Sequence, residues 1–252
     1  MNRYFIYISY NGTHFCGWQN QPNGLSIQQC IEDKLSILQQ QPVPIVGAGR
    51  TDAGVHARQM VAHFDLDNSL EEEALLVKKM NGMLPDTIAI ERIVRVRSDA
   101  HARFDALSRM YRYYITDCKN PFTHEWVCHM PLKGIDFALM NDACKILYEY
   151  SDFTSFSKLH TDVKTNICRI TYAEWNREGE MWVFTIQADR FLRNMVRAIV
   201  GTLFEVGRGK CSLSEFRQVI EVKDRCQAGT SVPAKGLSLV EIIYPAELFC
   251  VV

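Results

Sequence analysis

Apolar spacing along this chain changes its period in the same order twice, and that order restricts the folds open to it. Residues 3–10 alternate and end at Asn11-Gly12, which predicts a strand followed by a turn. Ser26 with Gln29 reads as a capping box that opens a helix through Ile27, Ile31, Leu35 and Leu38. Two short strands follow, 43–48 and 59–65, on either side of a loop containing Gly49 and Gly54. Ser69 with Glu72 is read as the cap of a second helix through Leu76, Met80 and Met83, and residues 87–96 as a further strand. The unit is β-α-β-β-α-β, the split arrangement of ferredoxin-like folds.

The remainder repeats it. Residues 103–116 read as a long strand, Asp136 caps a helix that reaches Tyr150, and 167–176 pairs with 181–188 as a hairpin around Glu178-Gly179. A strongly apolar helix spans 191–206, with Gly207 as its stop. A capped helix at 212–222 precedes a last strand at 236–244. The expected fold is α+β: two tandem ferredoxin-like halves, residues 1–98 and 99–252, the second with one extra helix, whose mixed sheets join. The halves share no sequence similarity, and no Pro/Gly/Ser-rich linker marks the boundary near Asp99.

A chain of 252 residues that is 47% hydrophobic can bury a substantial core. No apolar stretch approaches the roughly 20 residues of a membrane span, and the first segment, with Asn2 and Arg3, lacks a signal-peptide core, so a cytoplasmic protein without membrane contact is expected. Nine cysteines without a C-x-x-C pair read as buried reduced thiols. His124 and His129 lie five apart, off a common helical face, and no metal site is predicted. Asn11-Gly12-Thr13 reads as a turn. The net charge is −1, but its distribution is uneven. Residues 92–112 hold six arginines (Arg92, Arg95, Arg97, Arg103, Arg109, Arg112) against Asp99 and Asp105, while Asp65, Asp67, Glu71, Glu72 and Glu73 form an acidic block. A basic and an acidic face can thus coexist in a nearly neutral protein.

The densest chemical signal is the loop Gly49-Arg50-Thr51-Asp52-Ala53-Gly54-Val55-His56-Ala57, which holds a carboxylate, a guanidinium and an imidazole among small residues. A dinucleotide fingerprint fails here: Asp52 stands where its third glycine is needed, and a strand follows instead of a helix. Two readings of the loop stand. The glycines let backbone pass close to a ligand with Asp52 aimed at it, or Asp52 organises a turn.

Other motifs occur in a fixed order with this loop. They are Tyr10-Asn11-Gly12-Thr13 with Gly17-Trp18-Gln19-Asn20-Gln21, His101-Ala102-Arg103-Phe104, Tyr111-Arg112-Tyr113 and Asp152-Phe153-Thr154-Ser155-Phe156. Met195-Val196-Arg197 with Ile199-Val200-Gly201, then Lys235-Gly236-Leu237 with Leu239, complete the series. Over nearly the whole chain the set resembles the TruA family of tRNA pseudouridine synthases. Departures are Ser231-Val232-Pro233, where the family more often has Ala-Pro, and the stretch 158–165.

The resemblance implies that Asp52 is the essential aspartate, that Tyr111 stacks on the target uracil and that Arg197 partners Asp52, in a cleft between the two halves. It further implies that Arg50 holds the flipped nucleotide, that Leu237 lines the uracil pocket, and that His56, Arg58 and Arg112 contact substrate. Each has a plainer alternative: Tyr111 as sheet packing, Arg197 as a polar point on an apolar helix, Leu237 as core. The implied substrate is the anticodon stem-loop of tRNA, at uridines 38–40 on its 3′ side, and the implied assembly is a homodimer.

The chemistry fits these residue types. Moving uracil from an N1 to a C5 linkage oxidises nothing and loses no group, so no cofactor is expected. Glycosidases use two carboxylates because they must deliver water, which is unwanted here. One carboxylate suffices, by attack on C1′ or by removal of a C2′ proton to give a glycal. A guanidinium in the apolar run 195–200 is costly unless paired, so Arg197 is expected to have a carboxylate partner. The uridine must leave its stack, and an aromatic ring such as Tyr111 replaces the lost stacking. Two other classes compete: a non-catalytic tRNA-binding or RNA-folding factor on the same fold, and a small-molecule enzyme, which has no need of the arginine-rich segment.

Overall fold

The computed structural model describes residues 1–22, 24–158 and 165–249, and the chain divides into two units: Met1–Leu107 with Ser238–Val252, and Ser108–Leu237. Most of the unmatched stretch 158–165, namely 159–164, lies outside the described residues.

In the first unit β1 (Asn2–Tyr10) buries Tyr4, Phe5, Ile6, Tyr7 and Ile8 in succession, the mark of a strand covered on both faces. It lies antiparallel between β3 (His56–Leu66) and β4 (Ile88–Val96), with Ile6 opposite Ala62 and Ile93. The two-residue β2 (Val46–Gly47) also pairs with β3, so the strands up to Val96 take the order β4-β1-β3-β2. Helix α1 (Ile27–Gln39) starts where Ser26 accepts a hydrogen bond from the Gln29 N–H (3.1 Å), and α2 (Glu73–Asn81) precedes β4.

Two expectations fail locally. The predicted strand 43–48 shrinks to β2 because Val43 N–H donates to Ser36 Oγ and Ile45 N–H to Glu32 Oε1, so side chains of α1 take the donors a ladder would need. Ser69 does not cap α2, whose N-cap is Glu72 without a side-chain bond; the preceding loop is fixed instead by Leu70 N–H donating to Tyr4 Oη.

The first unit also claims residues expected in the second. Arg97 N–H donates to Leu248 O, Leu107 N–H to Ile243 O and Tyr244 Oη to Ala102 O, while Arg3 Nη1 reaches Ala100 O. Residues 99–107 therefore belong to this unit as turns and irregular backbone, and the strand predicted from 103 begins only at Ser108. The last strand, β9 (Leu237–Ile243), runs parallel to the start of β3, with Ser238 opposite His56 and Leu239 opposite Ala57.

In the second unit β8 (Met181–Ala188) lies antiparallel between β5 (Ser108–Thr116) and β7 (Ile170–Glu178), and Gly179 makes the predicted hairpin turn at φ +60°. The short β6 (Cys128–His129) runs parallel to the end of β5. Asp136 caps α3 (Phe137–Ile146), which gives way to a 3₁₀ turn, Leu147–Glu149, before Tyr150. Helix α4 (Met195–Gly207) begins four residues later than predicted because Asn194 is left-handed at φ 66°. Gly207 lies within it, where a Cβ would meet Met140 Sδ at 2.6 Å; the reversal falls to Gly209 at φ +70°. Helix α5 (Leu213–Glu221) carries the full capping box of Ser212 and Glu215. The rings of Phe137, Trp175, Phe184 and Phe204 form the centre of this core.

His63 on β3 is a buried imidazole whose Nδ1 accepts the Ala102 N–H (3.2 Å), with the His101 ring edge-on at 4.6 Å. Burial, then the Arg3 and His101 charges, lower its pKa from 6.5 to about 4, outweighing the opposing Asp65 and Asp105. Between those values the unfolded chain binds a proton that the folded chain refuses, so stability falls as pH drops from about 7 to 4. At about 1.4 kcal/mol per pH unit the loss reaches up to about 3 kcal/mol. Urea unfolding across this range should show that decline, and His63→Gln should flatten it.

Candidate active site

The loop 49–55 is held by the segment just after β1. Trp18 N–H donates to Thr51 O (3.1 Å), Val55 N–H to Asp52 O (3.1 Å), and the buried hydroxyls of Tyr10 and Thr51 share a 2.8 Å bond. Gly12 N–H donates to His56 Nδ1 (3.1 Å), so that nitrogen carries no proton and the buried ring serves as an anchor. Two glycines make the approach feasible. A Cβ on Gly12 would lie 2.0 Å from Val55 O; one on Gly17, at φ +98°, would lie 2.6 Å from Thr51 O. Gly54, also left-handed at φ +76°, turns the chain into β3. Asp52 is half-buried between these fixed points, with Arg50 and Arg58 exposed on either side of it in sequence.

In the second unit, α4 lies so close to 229–231 that a Cβ on Gly201 would stand 1.9 Å from Thr230 O and one on Gly229 would stand 2.9 Å from Gly201 backbone. Thr202 Oγ1 accepts the Gly229 N–H (2.9 Å) and donates to Ala198 O (2.9 Å). Arg197, half-buried in the first turn of α4, therefore meets the same strip: its Nε donates to Val232 O (2.8 Å), and its carbonyl accepts from Val232 N–H (3.2 Å). The next carbonyl, Pro233 O, accepts from Tyr113 Oη (2.9 Å). Burial pushes the Tyr113 phenol far above the usual range, so it is a fixed donor. Gly236 then passes over the Tyr113 ring, leading to the buried Leu237.

Tyr111 on β5 stands half-buried with Phe191 edge-on to its ring at 5.2 Å. Arg112 alternates to the opposite sheet face, where it pairs with Glu178, donates to Thr185 Oγ1 (3.3 Å) and lies over the Tyr114 ring. The first unit thus gathers Arg50, Asp52, His56 and Arg58, and the second Tyr111, Arg197 and Leu237, with Arg112 turned away from Tyr111.

Several residues that position these groups escaped the sequence reading. The hydroxyl of Ser231 accepts from Asn194 Nδ2 (2.6 Å) and from Arg225 Nη2 (2.9 Å). Arg225 also donates to Ala228 O and Gly229 O, each at 3.2 Å, and so braces the strip that receives Arg197. Nothing in spacing links Asn194, Arg225 and Ser231. Gly12 and Gly17 were visible in their motif, but not what they touch.

Among the described residues no group of His, Cys, Asp and Glu side chains could hold a metal ion. The sequence profile described as tRNA pseudouridine synthase matches residues 6–105 and 143–245, which include Asp52, Arg197 and Leu237 and leave Tyr111 in the interval. The chain is 62% identical to tRNA pseudouridine synthase A of Parabacteroides distasonis, over 99% of this chain and 98% of that protein. It is 57% identical to the protein so named in Bacteroides fragilis, over 99% of each, and 38% to that of Exiguobacterium sibiricum, over 97% and 98%. The chain belongs to the tRNA pseudouridine synthase family.

Because left-handed φ and a backbone contact both demand glycine, Gly17→Ala should cost about 2 kcal/mol and displace the Asp52 loop. A lowered melting temperature together with at least a tenfold fall in turnover is expected, measured by thermal unfolding and by a pseudouridine assay.

Proposed function

We propose that this chain isomerises uridine to pseudouridine in tRNA with Asp52 as the reacting carboxylate. The observation that carries the proposal is the fixation of the Asp52 loop, where Trp18 N–H holds Thr51 O and Val55 N–H closes on Asp52 O within the loop, in a chain that matches the family along its length. A carboxylate that must act at one sugar carbon is useful only if its loop cannot drift.

The uridine is flipped from its stack, and Tyr111 receives the base on its ring. Asp52 attacks C1′ or takes the C2′ proton; both routes release N1 and leave the base free to turn. Arg197 is assigned as the charge partner of that carboxylate, and its placement on α4 by Val232 and Gly201 supports the role. C5 then joins C1′ as the Asp52–C1′ ester bond breaks or, on the other route, as Asp52 returns the proton to C2′; the C5 proton leaves and N1 takes one up, which restores the uracil ring. Arg50 and Arg58, exposed near Asp52, hold phosphates, and Leu237 packs against the base. His56 acts through the loop it anchors. Arg112 contributes to RNA binding only by leaving Glu178. No step calls for a cofactor.

The reading extends to the anticodon stem-loop as target, to a homodimer working in the cytoplasm, and to two ferredoxin-like halves. The strand order β4-β1-β3-β2 supports the ferredoxin-like reading of the first half. No described helix is long and apolar enough to cross a membrane.

Chemical mapping of pseudouridine in unmodified tRNA transcripts, with and without the protein, tests activity and position together; unmodified transcripts after incubation would refute the proposal. Asp52→Asn should abolish isomerisation while tRNA affinity stays within a few-fold, because phosphate contacts dominate binding. Tyr111→Phe keeps the π-face and should bind tRNA normally, yet release tritium from uridine C5 at least tenfold more slowly if the hydroxyl assists that proton's departure. Tyr111→Leu should lose both. Wild-type release by Tyr111→Phe would leave the ring only its stacking role.

A further inference from the structure

Gln28 and Glu32 stand one turn apart on the same face of α1, and between them they clasp two other segments of the chain. Glu32 Oε1 accepts the Ile45 N–H (2.9 Å), and its Oε2 accepts from Asn20 Nδ2 (2.7 Å). Gln28 holds the same two residues: its Nε2 donates to Ile45 O (3.1 Å), and its Oε1 accepts the Asn20 N–H (3.3 Å). The two side chains also join each other, Gln28 Nε2 donating to Glu32 Oε1 at 2.9 Å. Ser26, the N-cap of the helix, completes the cluster by donating to Asn20 Oδ1 (2.6 Å) while its oxygen takes the Gln29 N–H.

The pattern of donors explains why residue 32 is an acid. Among the described residues all three groups bonded to Glu32 are N–H donors, and a carboxylate offers two accepting oxygens and no donor. The Ser26 bond to Oδ1 sets Asn20 with its amide nitrogen toward Glu32. A glutamine in place of Glu32 would fill the same space but turn an N–H against the Asn20 N–H, donor facing donor.

Both clasped segments run into the Asp52 loop. Two residues before Asn20, Trp18 N–H donates to Thr51 O (3.1 Å). Three residues beyond Ile45, Ala48 N–H donates to Val61 O (2.8 Å), and the loop begins at the next residue. The segments also meet directly, since a Cβ on Gly47 would stand 2.5 Å from Trp18 Nε1. We propose that Glu32 is a positioning residue for the reaction: it ties the Asn20 and Ile45 segments to α1, and Trp18 carries that placement to the peptide beside Asp52. The proposal rests on Asp52 being the reacting carboxylate, as argued above.

The test uses the full-length protein and an unmodified tRNA transcript, at a temperature where thermal unfolding shows each variant folded. Glu32→Gln should lower kcat for pseudouridine formation about 10- to 100-fold, as a shift of about 1 Å in a reacting group does. Its tRNA affinity should stay within about 2-fold, because phosphate contacts dominate binding. Asn20→Asp alone sets carboxylate against carboxylate and should slow turnover as well. Combined, the two substitutions reverse the polarity of the bond, the new amide nitrogen donating to the new carboxylate, and kcat should return to within about 3-fold of wild type. A purely structural role predicts otherwise: Glu32→Gln would melt at a lower temperature yet keep its kcat while folded, and that result overturns the proposal. Slow single variants with no recovery in the double variant overturn it too, as does a loss confined to tRNA affinity. If Glu32→Gln fails to fold, Asn20→Asp at its exposed position decides the matter, and a wild-type kcat there refutes the role. Wild-type protein that leaves tRNA unmodified refutes the functional reading and the positioning role with it, whereas an active wild type with unaltered variants refutes the positioning role alone.

Discussion

The closeness of two backbone segments, 11–18 and 49–55, governs the part of the molecule that carries Asp52. At 2.0 and 2.6 Å from carbonyl oxygens, the positions of the missing Cβ atoms on Gly12 and Gly17 leave no room for any side chain. The contact lets Trp18 and Gly12 supply donors to the loop and to His56, so an irregular stretch between strands meets its hydrogen-bonding needs from within the protein. Regular structure could not have done this, because a strand would have spent the same peptide groups on a ladder and aimed its side chains only to two sides.

The second unit uses the same device for a helix. Gly201 and Gly229 bring α4 into backbone contact with 229–231, and the carbonyls that follow, at Val232 and Pro233, take donors from Arg197 and Tyr113 in turn. Arg197 is thus held to the strip by its Nε bond.

Much of this was legible in the sequence and some was not, for reasons that can be located. The strand at β1, the hairpin at Gly179 and the Ser212 capping box depend on neighbours within a few residues, and local spacing located them. The strand at 43–48 failed because its donors went to Ser36 and Glu32 of the preceding helix, and α4 began late because Asn194 turns left-handed while bonding to Ser231. Those events are tertiary. The ordered motifs gave the family. The support behind the site, Tyr10 on Thr51 and Arg225 on Ser231, spans gaps that no periodicity encodes.

The return of Ser238–Val252 to the first unit has a consequence for biosynthesis. Residues 56 and 57, at the foot of the Asp52 loop, acquire their parallel partners at 238 and 239 only after the intervening unit has been translated. Phe5 must likewise await Tyr244 and Phe249, whose rings pack on it at 4.9 and 6.4 Å. On the ribosome the early strands can pair among themselves, but their sheet stays open at residues 56 and 57 of β3 and uncovered over Phe5 for most of synthesis. The nascent chain therefore carries an unfinished first unit while its second unit is made, and the apolar surface at Phe5 waits for the last segment.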